Sequence, residues 1–169
     1  MPNHDASAIA NEFLRRAQKN GVNLTNMQLQ KLPYIAHGWS LATLGEPLII
    51  QQPQTWPYGP VYQDLYENLK RYGAGPVDAL IRENNACPFE DERGDIVSVE
   101  LNELERDVID AVWDEYGSFT GGKLSRITHK PGTPWTITMQ KNGPYSDISN
   151  DCIRQHYEHL LAQNIQADG

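Results

Sequence analysis

Five histidines, two cysteines and one Gly-Gly-Lys run are the residues of this chain with the means to do chemistry. A metal centre needs three or four His, Cys or carboxylate ligands within one coordination sphere. His156 and His159 share a helical face at i, i+3, but Glu158 does not complete the zincin pattern and no second ligand pair is evident, so they read as an exposed helix face. His37, between Ala36 and Gly38, reads as a half-buried hydrogen-bonding residue, and His129 as one that orients the proline bend after it by bonding a backbone carbonyl. Cys87 and Cys152 lie far apart without metal or redox spacing, which fits a reducing compartment. No serine sits in a Gly-x-Ser-x-Gly elbow, and Gly121-Gly122-Lys123 lacks the first glycine and the spacing of a phosphate loop. Neither a metal nor another cofactor is expected. A metal-dependent hydrolase built on His37 and His129 is the enzymatic alternative.

With little chemistry in view, binding becomes the question, and charge bears on it first. Residues 1–80 hold six basic and six acidic side chains, whereas residues 81–169 hold eight and sixteen, so the second half carries the whole net charge of −8. Twelve acids fall within 83–115 against only Arg93 and Arg106. Such a density repels phosphate and attracts a basic partner, so direct nucleic-acid binding is not expected; a merely solvated face is the alternative. No apolar run reaches the 18 residues of a membrane span, and the start of the chain lacks the basic and apolar regions of a signal peptide. The expectation is a cytoplasmic protein in one domain, 1–169, since about 150 residues suffice to bury roughly 70% of the unfolded surface.

Periodicity and caps place the elements. Ile9, Phe13, Leu14 and Ala17 share a face over 5–20, stopped by Asn20-Gly21. Thr25 and Gln28 form a capping box for a central helix of Leu29, Leu32, Ile35, Ala36 and Trp39 that closes at Gly45. Pro33 in its interior predicts a kink or local opening. Pro47–Gln51 and Ile96–Leu101 read as strands, the first with 55–58 as a partner. Pro60 fits the first position of a third helix carrying Val61, Leu65, Leu69 and Tyr72, ended by Gly73. Residues 74–95 read as a loop with a helical turn near 79–82. Asn102 and Glu105 cap an amphipathic helix to Gly117, Thr120 caps a shorter one, 135–139 begins a turn, and the last helix starts near Ser149 or Asn150 and buries Ile153, Tyr157, Leu160 and Leu161. The fold class is mainly α (α+β): about six helices with a small two- or three-stranded antiparallel sheet.

One stretch stands apart. PQTWPYGPVY, 53–62, packs three prolines, three aromatics and Gly59 into ten residues. Proline-rich turns lie at the surface, and their stiffness lowers the entropy lost on docking. The rings of Trp56, Tyr58 and Tyr62 therefore serve either as a rigidly presented interface or as a plug under the third helix.

Three ordered blocks with a closing one, LTNMQLQKLPYIAHGWSLATLGEPL (24–48), TWPYGPVYQDLY (55–66), ITHKPGTPW (127–135) and YSDISNDCIRQHY (145–157), resemble the Panacea domain family of SocA-like antitoxins and GepA-type phage-associated proteins, over about 24–161. The resemblance implies a helix-rich, non-enzymatic protein that neutralises a cognate protein toxin, encoded by the adjacent gene, through direct binding. It also implies delivery of the toxin to a AAA+ protease as a second mechanism, and a regulatory module with a non-toxin partner as the alternative. The matching positions Lys31, His37, Gly38, Trp39, Gly59, Pro60, Val61, Thr128, His129, Pro134 and Trp135 become expected determinants of the fold. Trp56, Tyr58 and Tyr62, with the acids Glu90, Asp91 and Glu92, are the expected partner contacts. Pro33 departs from the family, where Leu is expected.

Overall fold

The computed structural model describes residues 3–168. Asp5 accepts a hydrogen bond from the Ser7 amide and so starts α1 (Ala6–Lys19). The Thr25/Gln28 capping box starts α2 (Asn26–Leu44), which Gly45 ends in the left-handed conformation at φ 71°. A hairpin follows, β1 (Gln54–Trp56) antiparallel to β2 (Gly59–Val61) in the register Gln54↔Val61, Thr55↔Pro60, Trp56↔Gly59. Then come α3 (Gln63–Leu69), α4 (Glu103–Tyr116), α5 (Gly121–His129), α6 (Pro134–Asn142) and α7 (Asn150–Asp168). The fold is mainly helical, seven α-helices with a two-stranded antiparallel sheet among the described residues. The Asn102/Glu105 capping box and the Thr120 cap stand where their spacing placed them.

α2 is the axis. It packs against α1, α3, α4, α5, α7 and β2, and from Leu29 to Gly38 every residue is buried. Most buried polar groups of α2 have partners, Gln30 bonding Asn26 and the Tyr62 amide and Ser40 donating to the Glu46 carbonyl, while the buried Tyr34 hydroxyl has none among the described residues. Across the core Asn11 on α1 accepts from the Ile81 amide and donates to the carbonyls of Ile81 and Val97, fixing the base of the acidic loop. Among the described residues no helix is long and apolar enough to cross a membrane.

Several expectations are corrected. Pro33 does not open α2, whose helical run continues through it; burial on all sides holds the turn that has lost one hydrogen bond. Pro47–Gln51 and Ile96–Leu101 pair only through the isolated bridges His4↔Ile49 and Arg82↔Ile96, so neither is a strand. Residues 79–82 form no helical turn, and the local 3-10 turn lies at Glu90–Glu92. Pro60 belongs to β2 rather than to a helix start, and α3 begins at Gln63. It is tolerated because its partner Thr55 turns its own amide and carbonyl outward, to Ser146 O and Tyr145 N. Leu160 and Leu161 are half-buried rather than core.

α2 and α7 approach closely at Gly38, where an added Cβ would stand 2.3 Å from the ring carbons of Tyr157 on α7. Gly38→Ala is expected to destabilise the fold by roughly 1–3 kcal/mol or more through overpacking. Urea unfolding reads this, and an unchanged midpoint would refute the packing argument.

Candidate functional site

The hairpin is held on three sides. Its carbonyls at Trp56, Tyr58 and Pro60 accept, in turn, from Trp135 Nε1 on α6 (2.8 Å), Ser125 Oγ on α5 (2.5 Å) and Lys31 Nζ on α2 (2.8 Å). Thr55 Oγ1 donates to Gly143 O and accepts from the Ser146 amide, closing the outer edge. Gly59, at φ 110°, lies so close to the helices that a Cβ would meet Thr128 Oγ1 at 3.1 Å and Lys31 Nζ at 3.3 Å. Only glycine fits that backbone and that space.

Pinning the hairpin leaves a groove of about 610 Å³ along its flank, between the starts of α2 and α5 and the rings of Trp56, Tyr58, Tyr66 and Tyr145. Trp56 packs against Tyr66 at 4.9 Å and Tyr145 at 5.6 Å between centroids. Tyr145 reaches that position from a left-handed backbone, φ 59°. Tyr58 is 68% exposed. A stiff turn therefore presents rings beside a mostly apolar trough, an arrangement suited to a protein segment.

Each expected site residue can be placed. Trp56 is half-buried and Tyr58 exposed, both on the groove, but Tyr62 is 0% exposed, beneath the hairpin, and its buried hydroxyl has no partner among the described residues. Tyr62 is thus a core residue and leaves the partner-contact set, because its amide is fixed by Gln30 with the ring turned inward. Glu90, Asp91 and Glu92 are exposed on their 3-10 turn, away from the lining of the groove. Eleven of the twelve acids in 83–115 are exposed; Glu105 is buried, at 2.8 Å from His4 Nε2.

The histidines are occupied structurally. His37 is 0% exposed; its Nδ1 accepts from the Leu48 and Ile49 amides, so Nε2 carries the proton and meets Asn150 Oδ1 at 2.8 Å. Burial lowers its pKa, against an upward pull from the Asn150 bond. It is more deeply buried than its sequence context indicated. His129 does not bond a carbonyl with its ring, which packs on Trp135 at 5.3 Å; instead Thr136 Oγ1 donates to the carbonyls of His129 and Lys130 and holds the bend. No group of three or more His, Cys, Asp or Glu among the described residues is placed to hold a metal.

Lys31 is the least ordinary residue here. It is 0% exposed, and desolvation lowers its pKa to about 7. Ser125, Gln30 and Tyr145, all part of the arrangement, carried no signal in the sequence beyond polarity or a ring.

The Antitoxin SocA-like, Panacea domain family model matches residues 29–136. The chain belongs to the SocA-like Panacea family. Antitoxin SocA of Caulobacter vibrioides (strain NA1000 / CB15N) is 28% identical over 145 residues, covering 85% of this chain and 74% of that protein. No solved structure is a significant match. The span that carries the Panacea match contains all three hairpin donors, Lys31, Ser125 and Trp135, while Tyr145 and α7 lie beyond it.

Lys31 gives the Panacea fold a measurable pH signature. Below pH 7 it is protonated in both states, so burial penalises the folded state in full; between about 7 and 10.5 the folded protein releases the proton and the unfolded chain keeps it. Stability therefore rises with pH in that window, and wild type is expected to improve relative to Lys31→Met by about 2 kcal/mol between pH 7 and pH 9. Urea unfolding of both proteins at the two pH values reads it, and a pH-independent difference would contradict the burial of a titrating lysine.

Proposed function

We propose that the protein is an antitoxin that neutralises a cognate protein toxin by occupying its surface, the toxin being encoded beside it. The observation that carries this reading is the pinned hairpin: an exposed Tyr58 and a half-buried Trp56 on a rigid turn beside an apolar groove, within the family-matched span. Rigidity matters because a ring already fixed loses little entropy on docking. The acidic loop adds direction. Its exposed Glu90, Asp91 and Glu92 sit on a frame held by Asn11 and by Arg93 Nε on the Cys87 carbonyl, and they favour approach of a basic toxin surface. Family membership and the placement of His37 favour binding over catalysis.

Expression of the neighbouring gene with and without this chain tests the reading. Growth arrest relieved by co-expression is expected; a neighbour that does no harm favours the regulatory module with another protein partner. Toxin half-life separates blocking from delivery to a AAA+ protease, since only delivery shortens it.

Two variants locate the contact. Tyr58→Ala is expected to keep stability within about 0.5 kcal/mol, as an exposed site does, yet to weaken toxin binding about tenfold or more. Undiminished binding would remove the hairpin from the interface. Reversing Glu90, Asp91 and Glu92 to lysine is expected to slow association about tenfold at low salt and flatten its salt dependence while leaving dissociation alone. Stopped-flow mixing at two ionic strengths reads this, and an unchanged association rate rejects steering by the loop.

A further inference from the structure

α4 carries more apolar surface than the core takes. Ile109 and Val112 are buried, but Leu104 on the same helix is 59% exposed and Val108 only half-buried. With Ala111, also exposed, these two stand at i, i+4 and i+7 and form a stripe along one face. The stripe borders the second half of α2, where Trp39, Thr43 and Leu44 make the facing wall. Between the two helices lies a trough of about 390 Å³, continuous past Leu44 and Leu104 with a second of about 400 Å³. From Leu104 to Glu115 the trough follows roughly 16 Å of helix, the length of three turns.

Charge says what fits there. α4 holds six acids and one base, Arg106. Asp110 pairs with Arg16 and Glu105 bonds His4, whereas Asp107 and Glu115, both on the trough, meet no cation within ion-pair reach among the described residues. Among those residues no Lys, Arg or His lines either part of it. Glu115 stands with Asp114 in the last turn of α4, which has no basic residue, so both carboxylates lie at the negative end of the helix dipole. That placement costs stability, and a cation brought from outside relieves it. The hairpin groove is different, since no acid lines it.

We propose that the trough between α2 and α4 takes a basic amphipathic helix of the partner protein, its apolar side chains on Leu104, Val108 and Ala111 and its Lys or Arg side chains on Asp107 and Glu115. The partner's identity as the toxin rests on the antitoxin reading, but the preference for a basic helix stands on its own. A helix is the occupant because two helices bound the trough over three turns, and a third packs its ridges into the groove between them. A second copy of this chain fits worse. Across a two-fold axis the trough would meet itself, setting Asp107 and Glu115 against like charge.

The test titrates the full ¹⁵N-labelled chain at low salt with three capped peptides. They are Ac-KLAKKLLKALAK-NH₂, whose leucines share a helical face, its glutamate counterpart Ac-ELAEELLEALAE-NH₂, and Ac-LKLKAKALKLAK-NH₂, which has the composition of the first with the leucines dispersed. The first is expected to shift the amides of Thr43, Leu44, Leu104, Val108 and Ala111 and to bind about tenfold more tightly than either of the others. Ala111→Arg puts a long cation into the trough at an exposed position where arginine suits a helix, so it is expected to lose about tenfold in affinity and keep its thermal midpoint. Asp107→Asn combined with Glu115→Gln keeps the shape and removes the charge; a loss of about fivefold is expected at low salt, vanishing near about 1 M salt. Equal affinity for the three peptides, or shifts confined to the Glu90–Glu92 turn, overturns the proposal and leaves an acidic surface that attracts any cation. So does undiminished binding by either variant. Concentration-dependent shifts of the trough amides without peptide would make it an interface between copies of this chain, which also overturns it. In cells, Ala111→Arg relieving growth arrest as well as wild type would discard the trough as a toxin contact and keep the antitoxin reading. If wild type relieves nothing, the antitoxin reading fails and the peptide titration still decides the trough.

Discussion

Three carbonyls on one short hairpin, at Trp56, Tyr58 and Pro60, each receive a side-chain hydrogen bond from a different helix, and the rest of the site follows from that clamp. A two-stranded hairpin on its own is marginal in water. Here Lys31, Ser125 and Trp135 replace the missing third strand on its inner side, while 143–146 close its outer edge through Thr55. The clamp joins blocks that lie far apart in the chain. Residues 24–48, 55–66 and 127–135 each bring one part to the same turn. Gly59 completes the fit, since any side chain there would strike Thr128 and Lys31.

The clamp also has an electrostatic consequence. Pulling Lys31 under the hairpin removes a cation from water with no carboxylate in ion-pair reach among the described residues, and burial lowers its pKa. The acids meanwhile lie outside, on the 83–115 surface, with Glu105 the exception beside His4. A protein of net charge −8 thus keeps one groove free of acid and floored by a lysine.

Much of the helical frame was legible because caps are local. Thr25 with Gln28, Asn102 with Glu105, Thr120 and the glycines at 45 and 117 act within a turn or two of their own positions, and α2, α4 and α5 begin where they say. Strands were less legible. Pro47–Gln51 and Ile96–Leu101 have strand-like composition, yet pairing needs a neighbour at the right distance, and each finds only one bridging residue. Pro60 fits a helix start equally well by its fixed φ; the outward-turned Thr55 made it a strand residue instead.

The site divides along the same line. The sequence by itself determined the family, the stiff aromatic turn, the acidic segment and the helix caps, since these depend on residue type and near spacing alone. Tertiary structure decided that Tyr58 faces out while Tyr62, four residues on, is buried, that His37 is spent on the Leu48 and Ile49 amides, and that Lys31 lies under the hairpin without a counter-charge. Exposure and desolvation are set by what packs across from a residue, and for His37, Lys31 and Tyr62 the bonded neighbours lie between 11 and 113 positions away in the chain.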